Sequence, residues 1–240
     1  MLLKGGRTTY GEAIGIMVLD TRFPRVPGDV GNASTYSFPV RLKVVKGATV
    51  ERVVKKADPT LLPLFIKAAR ELEAEGVRAI TTSCGFLIIF QDELAKAVRV
   101  PVFTSSLIQV PLVHKMVGGR VGIVTADAGS LTEMHLRKAG IDPSIPVAIA
   151  GLENEEEFSR AILGNSPDMD VEKIEAEVVK VSKRLVSEHP DVKAIVFECA
   201  NLPPYAKAVQ DATGLPVFDI ITLANMVYNA VVRRRFTGFL

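Results

Sequence analysis

Two stretches of this 240-residue chain share one pattern: VRAITTSCGFL, from Val77 to Leu87, and VKAIVFECANL, from Val192 to Leu202. Each runs valine, a basic residue, alanine, isoleucine, three further residues, cysteine, two more residues and leucine. The stretches lie 115 residues apart, and Pro-Val-Phe recurs at the same spacing, at 101–103 and 216–218. Agreement over some 27 positions predicts an internal duplication into two similar halves.

The duplication continues towards the N-terminus at a different spacing. Gly-Ile-Met at Gly15 corresponds to Gly-Ile-Val at Gly122, which is 107 residues further on. The eight-residue difference between the two spacings predicts one longer loop in the second half.

The fold class follows from the alternation of two kinds of segment. Short apolar runs such as Ile14–Leu19 alternate with amphipathic segments such as Val171–Ser187. This alternation predicts βαβ units with parallel sheets that are buried on both faces. We therefore expect an α/β protein of two similar, pseudo-symmetric α/β domains, with central parallel sheets and the active site in the cleft between the domains. The expected first domain is 1–112 plus about 220–240, and the second is 113–219.

The composition argues against several classes of protein. With 29 basic and 27 acidic side chains, the net charge of +2 predicts neither nucleic acid nor an anionic membrane as partner. No apolar run approaches the roughly 18 residues of a membrane span, and the N-terminus lacks an export signal, so we expect a cytoplasmic protein. There is no CxxC or HExxH motif, and the three histidines are far apart, so no metal site is predicted.

The two cysteines, Cys84 and Cys199, occupy matching positions in the two halves. Each follows an apolar strand and precedes a helix, which places it at the carboxyl edge of a parallel sheet, where open α/β sheets bind ligands. Either cysteine alone would be interpreted as an inert core residue, because free cysteine is often buried. Two at matching repeat positions instead predict a pair that faces one cleft, although a disulfide between them is also conceivable.

Two thiols on opposite sides of one carbon suit a 1,1-proton transfer, in which one removes a proton and the other delivers one. A helix N-terminus close to each sulfur would favour its thiolate. The carbanion next to a carboxylate or carbonyl must be stabilised by hydrogen-bond donors or polar groups at the same edge. The candidates are Thr82, Ser83, Gly85, Phe86, Thr125, Ala200 and Asn201.

TTSCGFL and ECANLPPYA, around the two cysteines, resemble motifs of the aspartate/glutamate racemase superfamily, and the resemblance covers nearly the whole chain. It implies a cofactor-independent racemase or epimerase, without PLP or metal, in which Cys84 and Cys199 are opposed acid and base. It also implies a small carboxylate-type substrate, such as an amino acid or a hydantoin, and a homodimer. The loop from Asp20 to Asn32 would cover the cleft, and Asn32 is the residue of that loop expected in the site.

Departures from the racemase pattern stand beside both cysteines. Gly85-Phe86 replaces the common Asn-Thr, while Glu198 and Ala200 flank the second cysteine in place of glycine and threonine. These changes argue against free aspartate or glutamate as substrate. Alternatives on the same scaffold are a maleate isomerase-like enzyme, an arylmalonate decarboxylase-like enzyme, and a two-lobed binding protein without catalysis. The sequence does not rank four candidate determinants of specificity, Arg22, Arg25, Arg41 and Phe86.

Overall fold

A computed structural model describes residues 2–3 and 5–239 of the chain. It contains two four-stranded sheets in which every pair of neighbouring strands is parallel. The first sheet has the order β2-β1-β3-β4 and the second the order β6-β5-β7-β8. The predicted α/β class, with two similar units built on parallel sheets, is confirmed. The strands are β1 Ile14–Leu19, β2 Val40–Val45, β3 Ala79–Thr82, β4 Val102–Phe103, β5 Arg120–Thr125, β6 Val147–Gly151, β7 Val192–Phe197 and β8 Val217–Phe218.

Helices connect the strands and cover the sheets. The α-helices are α1 Leu62–Glu75, α2 Gln91–Ala97, α3 Val110–Val117, α4 Glu133–Lys138, α5 Glu156–Phe158, α6 Val171–Glu188, α7 Ala206–Thr213 and α8 Ile220–Val231. The shorter 3-10 segments are Ala33–Thr35, Pro59–Leu61, Gly85–Phe90, Ser106–Gln109 and Pro203–Tyr205. Two π-helical turns, Glu51–Lys55 and Ser159–Leu163, occupy similar places after β2 and β6.

The strand registers reproduce the duplication residue by residue. In the first sheet Ile14 lies opposite Val40 and Ala79; in the second, Val121 lies opposite Val147 and Ala194. These partners are separated by the same spacings, 107 and 115 residues, that the sequence shows. The two sheets are therefore copies of one arrangement.

The prediction that the extra residues of the second half form one longer loop is wrong for part of them. Helix α6 has 18 residues, whereas the corresponding α1 has 14, so half of the eight extra residues lengthen a helix. The longer helix still covers its sheet with one apolar face, in which Ile174, Val178, Val181 and Leu185 are buried. The insertion extends an amphipathic pattern, and a pattern of that kind adds helical turns rather than irregular chain.

Glycine at equivalent places lets helix and sheet approach closely in both halves. A Cβ on Gly15 would lie 3.0 Å from a methyl carbon of Leu72 on α1. A Cβ on Gly122 would lie 2.9 Å from the matching methyl carbon of Leu185 on α6. The Gly-Ile motif that both halves share therefore marks an equivalent close contact between a helix and a strand in each half.

The C-terminal helix α8 packs on the first sheet. Its residues Ile220 and Leu223 are buried in one cluster with Ile14 and Ile16 of β1. A second, larger cluster joins side chains from both sheets, among them Met17 and Ile123. The domain boundaries at 112/113 and 219/220 stay a prediction.

Candidate functional site

A cavity of about 380 Å³ lies where the carboxyl ends of the two sheets meet. This volume includes space that is open to solvent at the mouth of the cavity. Both halves contribute to its wall: Leu19 and Phe23 come from the first, and Ala126 and Ile162 from the second. Seven of the ten predicted site residues line it: Ser83, Cys84, Gly85, Phe86, Cys199, Ala200 and Asn201.

Cys84 lies two residues after the end of β3 and directly before the 3-10 segment Gly85–Phe90, with its own backbone extended. Burial raises the pKa of its thiol to about 12, and the carboxylate of Glu198 adds to the rise. The backbone N–H of Phe86 and the charge of Arg25 act in the opposite direction, because both favour the thiolate. Cys84 is the more exposed of the two cysteines, and both are free thiols.

Cys199 stands at the matching place after β7 and is buried. Burial, then the charge of Glu198, raise the pKa of this thiol well above its usual value, while the backbone N–H of Asn201 opposes the rise. The Asn201 amide group gives this sulfur a defined partner. Its nitrogen donates a hydrogen bond of 2.7 Å to Asp29, which leaves the Asn201 oxygen 3.7 Å from the Cys199 sulfur. Because that oxygen can only accept, Cys199 is oriented as a protonated thiol.

Glu198 is a functional candidate that the sequence-based list of site residues missed. It lines the cavity, is 1% exposed, and accepts a hydrogen bond of 2.7 Å from Thr125 through Oε2. Its other oxygen, Oε1, is buried with no hydrogen-bond partner among the described residues. Burial raises the pKa of the carboxyl to about 7, although hydrogen bonds from the Thr125 hydroxyl and the Ala126 backbone N–H act to lower it.

Gly85 lies directly against this carboxyl group. A Cβ at position 85 would come within 2.3 Å of Glu198 Oε1 and 2.4 Å of the Glu198 backbone oxygen. Atoms do not approach this closely, so only glycine fits at position 85, against both the backbone oxygen and the carboxyl group of Glu198. The departures from the racemase pattern at these two positions are therefore in direct contact. A signal was available in the sequence: an acidic residue directly after the apolar run Ala194–Phe197 needs a polar partner.

The other three predicted residues lie outside the cavity wall. Thr82 donates its hydroxyl to the backbone oxygen of Thr104 at 2.7 Å, and Thr125 donates to Glu198, so both support the residues that line the cavity. Asn32 donates to the backbone oxygen of Arg25 at 2.8 Å and caps the 3-10 segment Ala33–Thr35. Its side chain therefore shapes the loop that covers the cavity.

Of the three arginines considered, Arg25 is the one that lines the cavity. Its guanidinium lies over the ring of Phe23, 4.4 Å from the centroid, and donates to Asp29 at 3.0 Å and to Thr21 at 2.9 Å. Arg22 is exposed, and Arg41 pairs with carboxylates away from the cavity. Two of the five guanidinium N–H groups of Arg25 have partners among the described residues, which leaves the other three as candidates to bind a ligand.

Two features are absent from residues 2–3 and 5–239. No group of three or more His, Cys, Asp or Glu side chains is arranged to hold a metal ion. None of the helices in this part of the chain is long and apolar enough to cross a membrane.

The family model described as Asp/Glu/Hydantoin racemase matches residues 48–226, which include both cysteines, the strands β3 and β4 of the first sheet and the whole second sheet. The chain belongs to this family. A solved structure of an arylmalonate decarboxylase variant has the same fold, with a TM-score of 0.64 at 17% identity over 91% of this chain and 92% of that one. The resemblance to the racemase superfamily is confirmed.

Curated proteins that are similar in sequence to this chain are named for a different activity. A dimethylsulfoniopropionate lyase of Durusdinium sp. clade D is 35% identical over 228 residues, or 92% of this chain and 75% of that protein. Dimethylsulfoniopropionate lyase 7 of Emiliania huxleyi (strain CCMP1516) is 33% identical over 231 residues, or 92% and 67%.

These relatives overturn the expected reaction. The prediction of a racemase or epimerase, and with it the isomerase class, is wrong, because proteins this similar over most of the chain are lyases. The physical reason for the error is that paired cysteines show only that a proton can be moved at a carbon atom. What happens to the resulting carbanion depends on the substrate, and a substrate with a leaving group eliminates it.

Proposed function

We propose that this protein is a lyase that eliminates dimethyl sulfide from dimethylsulfoniopropionate and leaves acrylate. The proposal rests on the similarity to dimethylsulfoniopropionate lyases over 92% of the chain. The cavity supports it with two thiols and a partly unpartnered arginine, Arg25, at the edges of the two sheets.

The proposed reaction is a β-elimination with a balanced set of bonds. A cysteine thiolate takes the proton from the carbon next to the carboxylate. The electron pair of that C–H bond forms the double bond of acrylate, and the electron pair of the C–S bond leaves with neutral dimethyl sulfide. The step needs one base and no hydride or electron transfer. Unlike racemisation, it needs no second group to return a proton to the carbon.

Arg25 is the proposed partner of the substrate carboxylate. Its guanidinium is held by Asp29, Thr21 and the ring of Phe23, and its remaining N–H groups are free to bind a carboxylate. When the α-proton leaves, negative charge spreads onto the carboxylate. A cation already in position stabilises that charge as it develops.

We assign the base to Cys84. Arg25 opposes the rise in the pKa of this thiol, and Cys84 is more exposed than Cys199. The Cys199 thiol instead faces the Asn201 oxygen, which favours the protonated form, and burial raises its pKa as well. Cys199 then serves as a neutral wall of the cavity opposite the base.

The experiment is incubation of the purified protein with dimethylsulfoniopropionate. Dimethyl sulfide is measured in the headspace by gas chromatography, and acrylate in solution by proton NMR. We expect equal amounts of both products. The control is Glu155→Gln, which should form both products as the wild type does, because Glu155 is a buried acid bonded to Lys180 and does not line the cavity. Unchanged substrate after prolonged incubation, with neither product above the heat-inactivated sample, contradicts the proposal. The homodimer and the cytoplasmic location stay predictions.

A further inference from the structure

We propose that Glu198 binds the positively charged end of the substrate and selects for onium compounds. This inference rests on the proposed lyase function, since dimethylsulfoniopropionate carries a sulfonium group. In this arrangement Glu198 is a specificity-determining residue that contacts the substrate. It lies in the cavity wall together with Arg25, so that the cavity offers one negative and one positive group to a zwitterion.

The first support is the unpartnered oxygen. Glu198 is 1% exposed, and its Oε1 atom has no hydrogen-bond partner within the described residues. A buried carboxylate oxygen without a partner is costly, so a partner from outside the chain is expected. A sulfonium group cannot donate a hydrogen bond, but its positive charge stabilises a carboxylate at close range.

The second support is the room made for this carboxyl group. Gly85 removes the Cβ that would otherwise overlap Glu198 Oε1 at 2.3 Å, and both residues line the cavity. The matching residue of the first half, 115 positions earlier, is Ser83, whose hydroxyl accepts from the Leu19 backbone N–H at 2.9 Å. A serine would therefore complete the fold at this place, and the acid must serve something other than the fold.

The third support is the position of the charge relative to the two thiols. Glu198 directly precedes Cys199 in the chain and lies against Gly85, which directly follows Cys84. Its charge raises the pKa of both thiols. Without a cation beside it, this charge opposes formation of a thiolate. A bound cation cancels the charge, so the base forms more readily when an onium substrate is present. Neutral carboxylic acids of the same shape lack this activation.

The test uses two non-reactive ligands of the same shape. One, 3-(trimethylammonio)propionate, carries a cationic end, and the other, 4,4-dimethylpentanoate, replaces the nitrogen by carbon. Isothermal titration calorimetry is expected to show that the wild-type protein prefers the cationic ligand by about tenfold or more. Glu198→Gln and Glu198→Ser are expected to lose most of this preference, while the Glu155→Gln control retains it. Glu198→Ser restores the residue type of the first half and guards against a folding defect specific to glutamine.

Two outcomes overturn the inference: no preference for the cationic ligand in the wild type, or an unchanged preference in both Glu198 variants. These outcomes are separate from failure of the lyase proposal. A protein that shows the Glu198-dependent preference but releases no dimethyl sulfide retains the cation site and loses the lyase proposal. A lyase whose Glu198 variants keep the preference loses only the cation site.

Discussion

The two halves of the molecule offer a comparison at equivalent positions. Ser83 and Glu198 stand directly before the two cysteines, and each is 3% or less exposed. Ser83 is neutral, and its hydroxyl accepts the backbone N–H of Leu19. Glu198 faces the equivalent N–H, that of Ala126, and its carboxyl has an oxygen to spare. One backbone arrangement thus holds a structural hydroxyl in one half and an acid in the other.

The difference shows how a duplicated scaffold acquires an asymmetric site. The strands keep the same register in both halves, so the cysteines stay at matching places. Ser83 and Glu198 donate equivalent backbone hydrogen bonds, to Met17 at 3.0 Å and to Val124 at 2.8 Å, so the two positions differ only in their side chains. The negative group lies on the second half at Glu198 and the positive group on the first half at Arg25, which suits a substrate with two unlike ends.

The largest expected effect, on kcat, comes from replacing the two cysteines one at a time. Cys84→Ser is expected to lower kcat by roughly 10²–10⁴-fold, since a serine hydroxyl does not ionise at neutral pH and the general base is lost. Cys199→Ser is expected to cost about tenfold or less, because elimination requires no second proton transfer. Dimethyl sulfide release under saturating substrate measures both. Equal losses in the two variants, or a larger loss for Cys199→Ser, contradict the assignment of the base.

The next effect concerns the carboxyl group of Glu198, which stands where the first half has the hydroxyl of Ser83. Glu198 has a folded-state pKa of about 7 against a usual value of 4.5, so the folded protein holds this proton more tightly than the unfolded chain. The stability it contributes is complete below pH 4.5 and is lost as the pH rises through 7. At 1.36 kcal/mol per pKa unit, the loss is on the order of 3 kcal/mol.

Glu198→Gln removes this dependence. We expect the variant to gain stability relative to wild type between pH 4 and pH 8, measured as the difference in free energy of unfolding in urea. The ionisable neighbours Cys84 and Cys199 are neutral over this range, and Arg25 and Asp29 remain in both proteins, so they largely cancel. A difference between the two proteins that is constant with pH shows that the carboxyl group does not titrate in this range.

The smallest of the three effects concerns the glycine beside the acid. Gly85→Ala places a Cβ against Glu198 and is expected to destabilise the fold by roughly 1–3 kcal/mol through overpacking. Gly129→Ala is the matched control, because its Cβ would meet nothing closer than 3.4 Å. Thermal unfolding measures both. If Gly85→Ala is as stable as Gly129→Ala, the contact between positions 85 and 198 is looser than described.

Much of the fold could be predicted from the sequence because it depends on repeated local patterns. The apolar strands around Ile80 and Ile195, and the cysteines that follow them, share one spacing, which is enough to predict two sheets with matching edges. The eight-residue difference in spacing predicts a longer loop, whereas half of the extra residues lie in α6. A spacing between two motifs counts residues and does not show their conformation. The cavity residues next to each cysteine were predicted for the same reason as the strands.

The rest of the site depends on contacts between distant segments. Glu198 is held by Thr125 and faces Gly85, which lie 73 and 113 residues away in sequence. The sequence alone does not distinguish Arg25 from Arg22 and Arg41. In the structure, the loop places Arg25 over Phe23 in the cavity. Asn32 was expected in the site, but its amide group completes turns within its own loop. No local pattern distinguishes these outcomes.

A crystal structure with 3-(trimethylammonio)propionate bound tests the central claim most directly, because this ligand has the charges of the proposed substrate but a poor leaving group. We predict that its onium end lies nearest Glu198 Oε1 and that its carboxylate contacts Arg25. The carbon next to the carboxylate is then expected roughly 3.5 Å from the Cys84 sulfur, a distance suited to proton transfer. A ligand bound outside this cavity, or bound with its onium end against Arg25, would contradict the account.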